Sequence, residues 1–206
     1  MPTLDTLFRD TRVTEDYLAG YRARFIETVE SVDLDALAAV VDAIEARVGT
    51  GASIYVFGNG GSAAVASHWV NDMGVNTLVD GEPGIRIFCL SDNVSALTAV
   101  ANDISFDEVF AAQLRCVVGP EDLVMALSVS GNSPNIIRGI EEAQSAGATT
   151  VGFSGMSGGK LAAIADIAVH TPSDIDEYGP IEDIFSVCMH AVAGLIAMRR
   201  GRRLHH

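Results

Sequence analysis

The stretch Ser53-Ile54-Tyr55-Val56-Phe57-Gly58-Asn59-Gly60-Gly61-Ser62-Ala63 decides how this chain is read. Ser53–Phe57 is short, uncharged and rich in β-formers, the pattern of a parallel strand buried on both faces. Gly58–Ser62 is a glycine-rich loop, and Ala63 to about Met73 reads as a helix. The glycines permit positive φ and close approach of backbone to a ligand. The helix behind them directs unpaired N–H groups and its positive dipole end into the loop. The loop is neither GxGxxG nor a Walker motif with its lysine, so it does not indicate a nucleotide.

A second junction of this kind follows. Asp122–Ser130 reads as a strand, and Ser128-Val129-Ser130-Gly131-Asn132-Ser133-Pro134 places three hydroxyls around a turn. Pro134 suits the first position of a helix that runs to Ala146. Gly84–Leu90, Thr149–Gly155 and Asp166–Pro172 supply further strands. Helices are expected around Val94–Asn102, after Gly158-Gly159, and from about Pro180 to Arg199. Strand–helix alternation with short links predicts an α/β fold with a five-stranded parallel sheet covered on both faces. Two helices precede it within Val13–Val48. Thr14 caps the first, which shows Leu18, Tyr21, Phe25 and Val29 at helical spacing, and Asp33 opens the second. With no repeat or linker, residues 1–206 read as one domain, a helical segment of about 13–49 and a core of about 52–200.

The 206 residues are 49% hydrophobic, enough for a substantial core. With 27 acidic against 13 basic residues the net charge is −14, a field that disfavours nucleic acid and anionic membranes as partners. A phosphorylated ligand must therefore be held by local donors. The basic cluster Arg199, Arg200, Arg202 and Arg203 reads as a solvated helix end, and His205 and His206 as a tag-like tail outside the chemistry. Cys89, Cys116 and Cys188 sit in apolar stretches without CxxC spacing and read as buried free thiols in a reducing compartment. The acidic, polar N-terminus is unlike a signal peptide, and no uncharged apolar run reaches membrane-spanning length, so a cytoplasmic location is expected.

Both loops leave the carboxyl ends of strands in one parallel sheet, where such folds bind ligands, and small hydroxyls with free amides suit a phosphate. His68 and Asp72 are four apart on one helix; Glu182 and His190 are eight apart on the last. Two imidazoles and two carboxylates could complete a tetrahedral zinc site. From spacing alone the plainer reading prevails: an i, i+4 His–Asp pair is usually a surface contact, and His190 a satisfied core histidine.

GNGGSA followed by a helical histidine, then LSVSGNSPNIIRGIEEAQSAG, resembles the sugar isomerase (SIS) domain family. The resemblance is strongest to its phosphoheptose isomerase branch and covers nearly the whole chain. It implies a three-layer sandwich of flavodoxin-like topology with N-terminal helices that pack subunits into a homotetramer, with sites between subunits. It also implies a phosphorylated sugar substrate, sedoheptulose 7-phosphate, isomerised to D-glycero-heptose 7-phosphate through an enediol. Sugar-phosphate contacts carry over to Asn59, Gly60, Gly61, Ser62, Asn102, Asp103, Ser128, Val129, Ser130, Ser133 and Glu182. One zinc per subunit carries over to His68, Asp72, Glu182 and His190, with Asp72 and His190 as the acid–base pair.

The chain departs from that branch at four places. Val129 stands for a Thr, Asp72 for a Glu and Glu182 for a Gln. In Asp176-Glu177-Tyr178-Gly179-Pro180-Ile181-Glu182, Gly179 stands where an acidic residue supports the chemistry. These departures motivate an alternative: a non-catalytic SIS protein that senses phosphosugars or serves in assembly.

Overall fold

The computed structural model describes residues 3–174 and 177–202; Asp176, Arg203, His205 and His206 lie outside them. Strands β1 (Ile54–Gly58), β2 (Ile87–Cys89), β3 (Leu123–Ser128), β4 (Thr149–Ser154) and β5 (Ile167–His170) form one parallel sheet of order β2-β1-β3-β4-β5. The inner strands are buried along their length because each face meets a different core. Ile54 and Val56 of β1, with Leu123, Met125 and Leu127 of β3, face one side; Tyr55, Phe57, Val124 and Ala126 face the other. This is the period-two alternation of a strand with both faces apolar.

The helices are α1 (Leu4–Asp10), α2 (Thr14–Glu30), α3 (Leu34–Glu45), α4 (Gly60–Gly74), α5 (Val94–Asp103), α6 (Ala111–Arg115), α7 (Pro134–Ser145), α8 (Gly159–Ile164) and α9 (Tyr178–Arg199). Residues of α3, α4 and α9 fill the first core, where Trp69 meets Phe153 edge-on at 5.3 Å. Residues of α6, α7 and α8 fill the second, where Phe57 stacks on Phe110 at 4.6 Å. The absence of a side chain at Gly139 makes room for the Phe57 ring. The result is the expected three-layer α/β architecture.

Several details differ from expectation. Thr14 is the first helical residue of α2, not its cap; Val13 occupies the cap without a side-chain bond, whereas Asp33 caps α3 through the N–H groups of Asp35 and Ala36, both at 3.0 Å. Helix α1 was not expected: it is seven residues long, buries none of them, and offers periodicity little to work on. Strand β2 is shorter than Gly84–Leu90 because pairing with β1 covers only Ile87–Cys89. Cys116 is exposed; Cys89 and Cys188 are covered, and burial pushes both thiols up to about 11. The C-terminal arginines are clamps rather than a solvated end. Arg200 donates to the carbonyls of Thr77 (3.0 Å) and Pro83 (2.6 Å), Arg202 to that of Leu78 (2.7 Å), and Arg199 to Glu45 (2.7 Å). Among the described residues α9 alone is long and apolar enough to cross a bilayer, and half of its most apolar stretch is buried in the fold.

Candidate functional site

The strand order reverses direction at the β1/β3 boundary, because β1 leads outward to β2 on one side while β3 begins the run to β5 on the other. Such a switch point opens a crevice beyond the strand ends, since the helices that follow go to opposite faces. Helices α4 and α7 both start there. A cavity of about 410 Å³ lies between their N-termini, walled by Asn59–Ser62, Leu127–Ser130, Ser133, Tyr178 and Glu182.

Backbone geometry makes this crevice. Gly60 has φ +55°, in the left-handed region, and a Cβ on Gly58 would lie 2.7 Å from the carbonyl carbon of Ser62. Gly131, at φ +64°, sits so close to Gly158 that a Cβ would overlap its carbonyl oxygen. The second loop is also pinned from the other side: the Leu161 N–H donates to the Gly131 carbonyl at 2.9 Å, and the Lys160 N–H to Asn132 Oδ1 at 3.0 Å. The Ser128 and Ser133 hydroxyls stand 3.5 Å apart, and Ser130 Oγ accepts from the Asn132 N–H at 3.3 Å.

A reciprocal amide pair joins the two loops. Asn59 Nδ2 donates to Asn135 Oδ1, and Asn135 Nδ2 donates to Asn59 Oδ1, both at 2.9 Å. Asn135 is 1% exposed, and its Oδ1 also accepts from the Ile136 N–H at 3.0 Å. Sequence reasoning passed over Asn135. Its signal was a lone amide directly after Pro134 and before the apolar Ile136-Ile137, where only a buried partner satisfies it.

Of the residues carried over as phosphosugar contacts, Asn59, Gly60, Gly61, Ser62, Ser128, Val129, Ser130, Ser133 and Glu182 line this cavity. Asn102 and Asp103 do not. They are exposed at the C-terminal end of α5 and bond to each other, Asn102 Nδ2 donating to Asp103 Oδ1 at 2.7 Å. Tyr178, a wall residue not singled out in the sequence, is 54% exposed.

Helices α4 and α9 pack side by side. Along their seam Asp72 Oδ2 lies 3.5 Å from His68 Nε2 and 3.3 Å from His190 Nε2, with the imidazoles edge-on at 5.0 Å. One donor atom from each of the three falls within 4.8 Å of the others. The Asp72 carboxylate is mostly buried and its other oxygen is held: Oδ1 accepts from Asn71 Nδ2 at 3.1 Å and Asn76 Nδ2 at 3.0 Å. That leaves Oδ2 facing the histidines, the anchoring that positioned metal ligands need. Two imidazoles and one carboxylate are a fitting donor set for zinc.

Glu182 is not drawn into this trio. Its Oε1 accepts from Ser62 Oγ at 3.3 Å, and its carboxylate fills the space a Cβ on Gly61 would need. The positive end of α4 accounts for this, since Asn59, its N-cap, spends its amide on Asn135.

The SIS domain profile matches residues 16–155. The chain belongs to the SIS domain family. It is 34% identical over 177 residues to a probable phosphoheptose isomerase of Thermoplasma acidophilum, covering 86% of this chain and 93% of that one. It is 37% identical over 177 residues to the phosphoheptose isomerase of Mycobacterium tuberculosis, with 82% and 89% covered. Among solved structures, the phosphoheptose isomerase of Neisseria gonorrhoeae superposes with a TM-score of 0.81 at 26% identity, over 89% of this chain and 98% of that one. The SIS fold of this chain thus extends past the profile match to include α9, which carries Glu182 and His190.

Proposed function

We propose that the chain is a phosphosugar aldose–ketose isomerase that converts sedoheptulose 7-phosphate to D-glycero-heptose 7-phosphate. The observation that carries this reading is that one seam holds a hydroxyl-lined anion cavity at one end and the His68–Asp72–His190 trio at the other. Glu182, on the cavity wall, and His190 are eight residues apart on α9, about 12 Å of helix rise. With bonds of ~1.5 Å, an extended seven-carbon sugar carries its carbonyl end about 10 Å from its phosphorus, so it spans both parts.

The phosphate is received by Ser128, Ser130 and Ser133 at the start of α7, where the helix end and rotatable hydroxyls replace the cations this acidic chain does not supply. Val129 offers its backbone where the branch has a hydroxyl, and Glu182 accepts from the sugar's hydroxyls. Asp72 Oδ2, held toward the seam, takes the proton from the carbon beside the carbonyl and returns it to the neighbouring carbon. His190, 3.3 Å from Asp72, moves the second proton between the two oxygens. His68, Asp72 and His190 would hold a divalent ion such as zinc, which would supply a Lewis acid for those oxygens when bound. His68 and His190 are half exposed in the single chain. A homotetramer whose subunits cover this seam would dry it, consistent with a cytoplasmic metabolic enzyme built from residues 1–206 as one domain.

The test is metal content of tag-free protein together with NMR of sedoheptulose 7-phosphate in deuterated water. Stoichiometric zinc with deuterium entering beside the carbonyl is expected, and Asp72→Asn or His190→Ala should abolish exchange while leaving phosphosugar binding nearly intact. Ordinary turnover by both variants would refute the acid–base assignment. Binding without any exchange by the native protein would leave the non-catalytic sensor as the better reading.

A further inference from the structure

Helix α2 belongs to the N-terminal segment, outside the α/β core, yet it reaches the start of α9. Arg24 Nε donates to Glu177 Oε1 at 2.5 Å and Arg24 Nη2 to Glu177 Oε2 at 2.9 Å, a two-pronged pair that fixes the carboxylate plane. Glu177 is fully buried, and the Arg24 side chain is 12% exposed. Glu177 Oε2 also accepts from the Asp174 N–H at 2.9 Å, while the Glu177 N–H donates to the Asp174 carbonyl at 3.2 Å. Arg24 reaches Asp174 and Glu27 as well, at 3.1 and 2.7 Å. One turn earlier, the Tyr21 hydroxyl faces the start of α9, 3.3 Å from where a Cβ on Gly179 would stand. Burial and the nearby Asp183 raise the Tyr21 pKa, which keeps the phenol neutral.

Glu177 is the N-cap of α9 and has no side-chain bond to the helix it begins, because its carboxylate is committed to Arg24 and the Asp174 amide. The next residue is Tyr178 and the fifth is Glu182, the two residues that α9 contributes to the cavity wall. His190 lies two turns further along, where Met189, Val192 and Ala193 pack into the first core.

We infer that Arg24 is a positioning residue for phosphosugar binding: through Glu177 it sets the first turn of α9, and so places Tyr178 and Glu182 against the ligand. The inference rests on the phosphosugar reading above. It gives the N-terminal helices a part in the site besides any subunit contact.

The experiment measures, for the full chain, Kd for sedoheptulose 7-phosphate by calorimetry, KM and kcat by NMR, zinc stoichiometry, and the melting temperature. The variants are Arg24→Lys, Arg24→Met and the double variant Arg24→Met/Glu177→Met. Arg24→Met should raise Kd and KM about tenfold and leave zinc stoichiometry and kcat within about twofold. Arg24→Lys keeps the charge but not the fork, so it should recover thermal stability more fully than affinity. The double variant removes the buried charge as well, and should recover the melting temperature while Kd stays raised. Unchanged Kd and KM in every variant that folds would overturn the inference, as would recovery of affinity in step with melting temperature. Should Arg24→Met not fold, Arg24→Lys and the double variant carry the same comparison. If the native protein binds no sedoheptulose 7-phosphate, the phosphosugar reading itself falls, a result separate from insensitivity of the variants.

Discussion

The Asn59–Asn135 amide pair holds the two loops together, and replacing Asn135 tests both that link and the place of the phosphate beside it. Asn135→Ala removes both amide bonds and the acceptor for the Ile136 N–H, leaving Asn59 without its partner. An unmet buried polar group costs about 1–3 kcal/mol, so a loss of about 2–3 kcal/mol is expected. For a chain of this size that lowers the melting temperature by about 4–12 °C. Asn135→Asp keeps an Oδ1 that accepts from Asn59 and Ile136, but its Oδ2 meets Asn59 Oδ1 with no proton between them, and a carboxylate at a 1% exposed site loses its hydration. The roughly 0.3–1 kcal/mol gained at the N-terminus of α7 does not offset this, so Asn135→Asp should melt no higher than Asn135→Ala. Toward a phosphosugar it should also be the weaker: a carboxylate ~6 Å from the phosphate, at an effective dielectric of ~20–30, repels it by about 2–3 kcal/mol, a ~30- to 150-fold loss of affinity. Thermal unfolding and calorimetry with sedoheptulose 7-phosphate on both variants provide the assay. Equal or tighter binding by Asn135→Asp than by Asn135→Ala would refute the placement of the phosphate at the start of α7.

Four further outcomes are expected. Gly131→Ala combines φ +64° with an overlap on the Gly158 carbonyl, and backbone cannot yield as a side chain does; it should cost more than the ~1–2 kcal/mol of a left-handed alanine and abolish phosphosugar binding, read by melting temperature and calorimetry. The Cys89 and Cys188 thiols rise from 9.0 to about 11 on folding, so the unfolded chain releases these protons first as pH climbs. Their contribution to stability is complete below pH 9 and is lost between about 9 and 11, as urea midpoints against pH will show. At neutral pH a small alkylating agent should label Cys116 in the folded protein, with Cys89 and Cys188 following only on unfolding, checked by mass spectrometry. Arg200→Ala frees the carbonyls of Thr77 and Pro83 and should raise amide exchange between α4 and β2 while leaving the cavity residues unaffected.

Most of the sheet was legible because buried parallel strands advertise themselves: Ile54–Gly58, Leu123–Ser128 and Thr149–Ser154 are short apolar runs ending at glycine or serine. The two loops were legible for a related reason, since glycine and serine clusters behind strands have few other uses. What the sequence hid were relations between distant side chains. Neither the Asn59–Asn135 pair nor the Arg24–Glu177 pair has a local signature, because the partners are 76 and 153 residues apart. Asn102 and Asp103 were carried over as ligand contacts by resemblance; in the single chain α5 ends with both exposed and bonded to each other, outside the wall of the β1/β3 crevice. The C-terminal arginines were misread because charge clusters usually face water, and nothing in their own segment reveals the carbonyls that receive them.

On the function proposed above, the two faces of the sheet divide the chemistry between them. His68, Asp72, Glu182 and His190 ride on helices anchored in one core, and the helix that follows the serine loop is anchored in the other, although Val129 of that loop packs into the first. A void opened around Trp69 or Met189 would therefore disturb proton transfer first, whereas one around Phe110 or Ile140 would disturb capture of the anion first. The two tasks proposed for this chain, holding a phosphate and working on the sugar attached to it, thus lean mainly on different sides of the sheet, and a change on one side reaches the other chiefly through Val129.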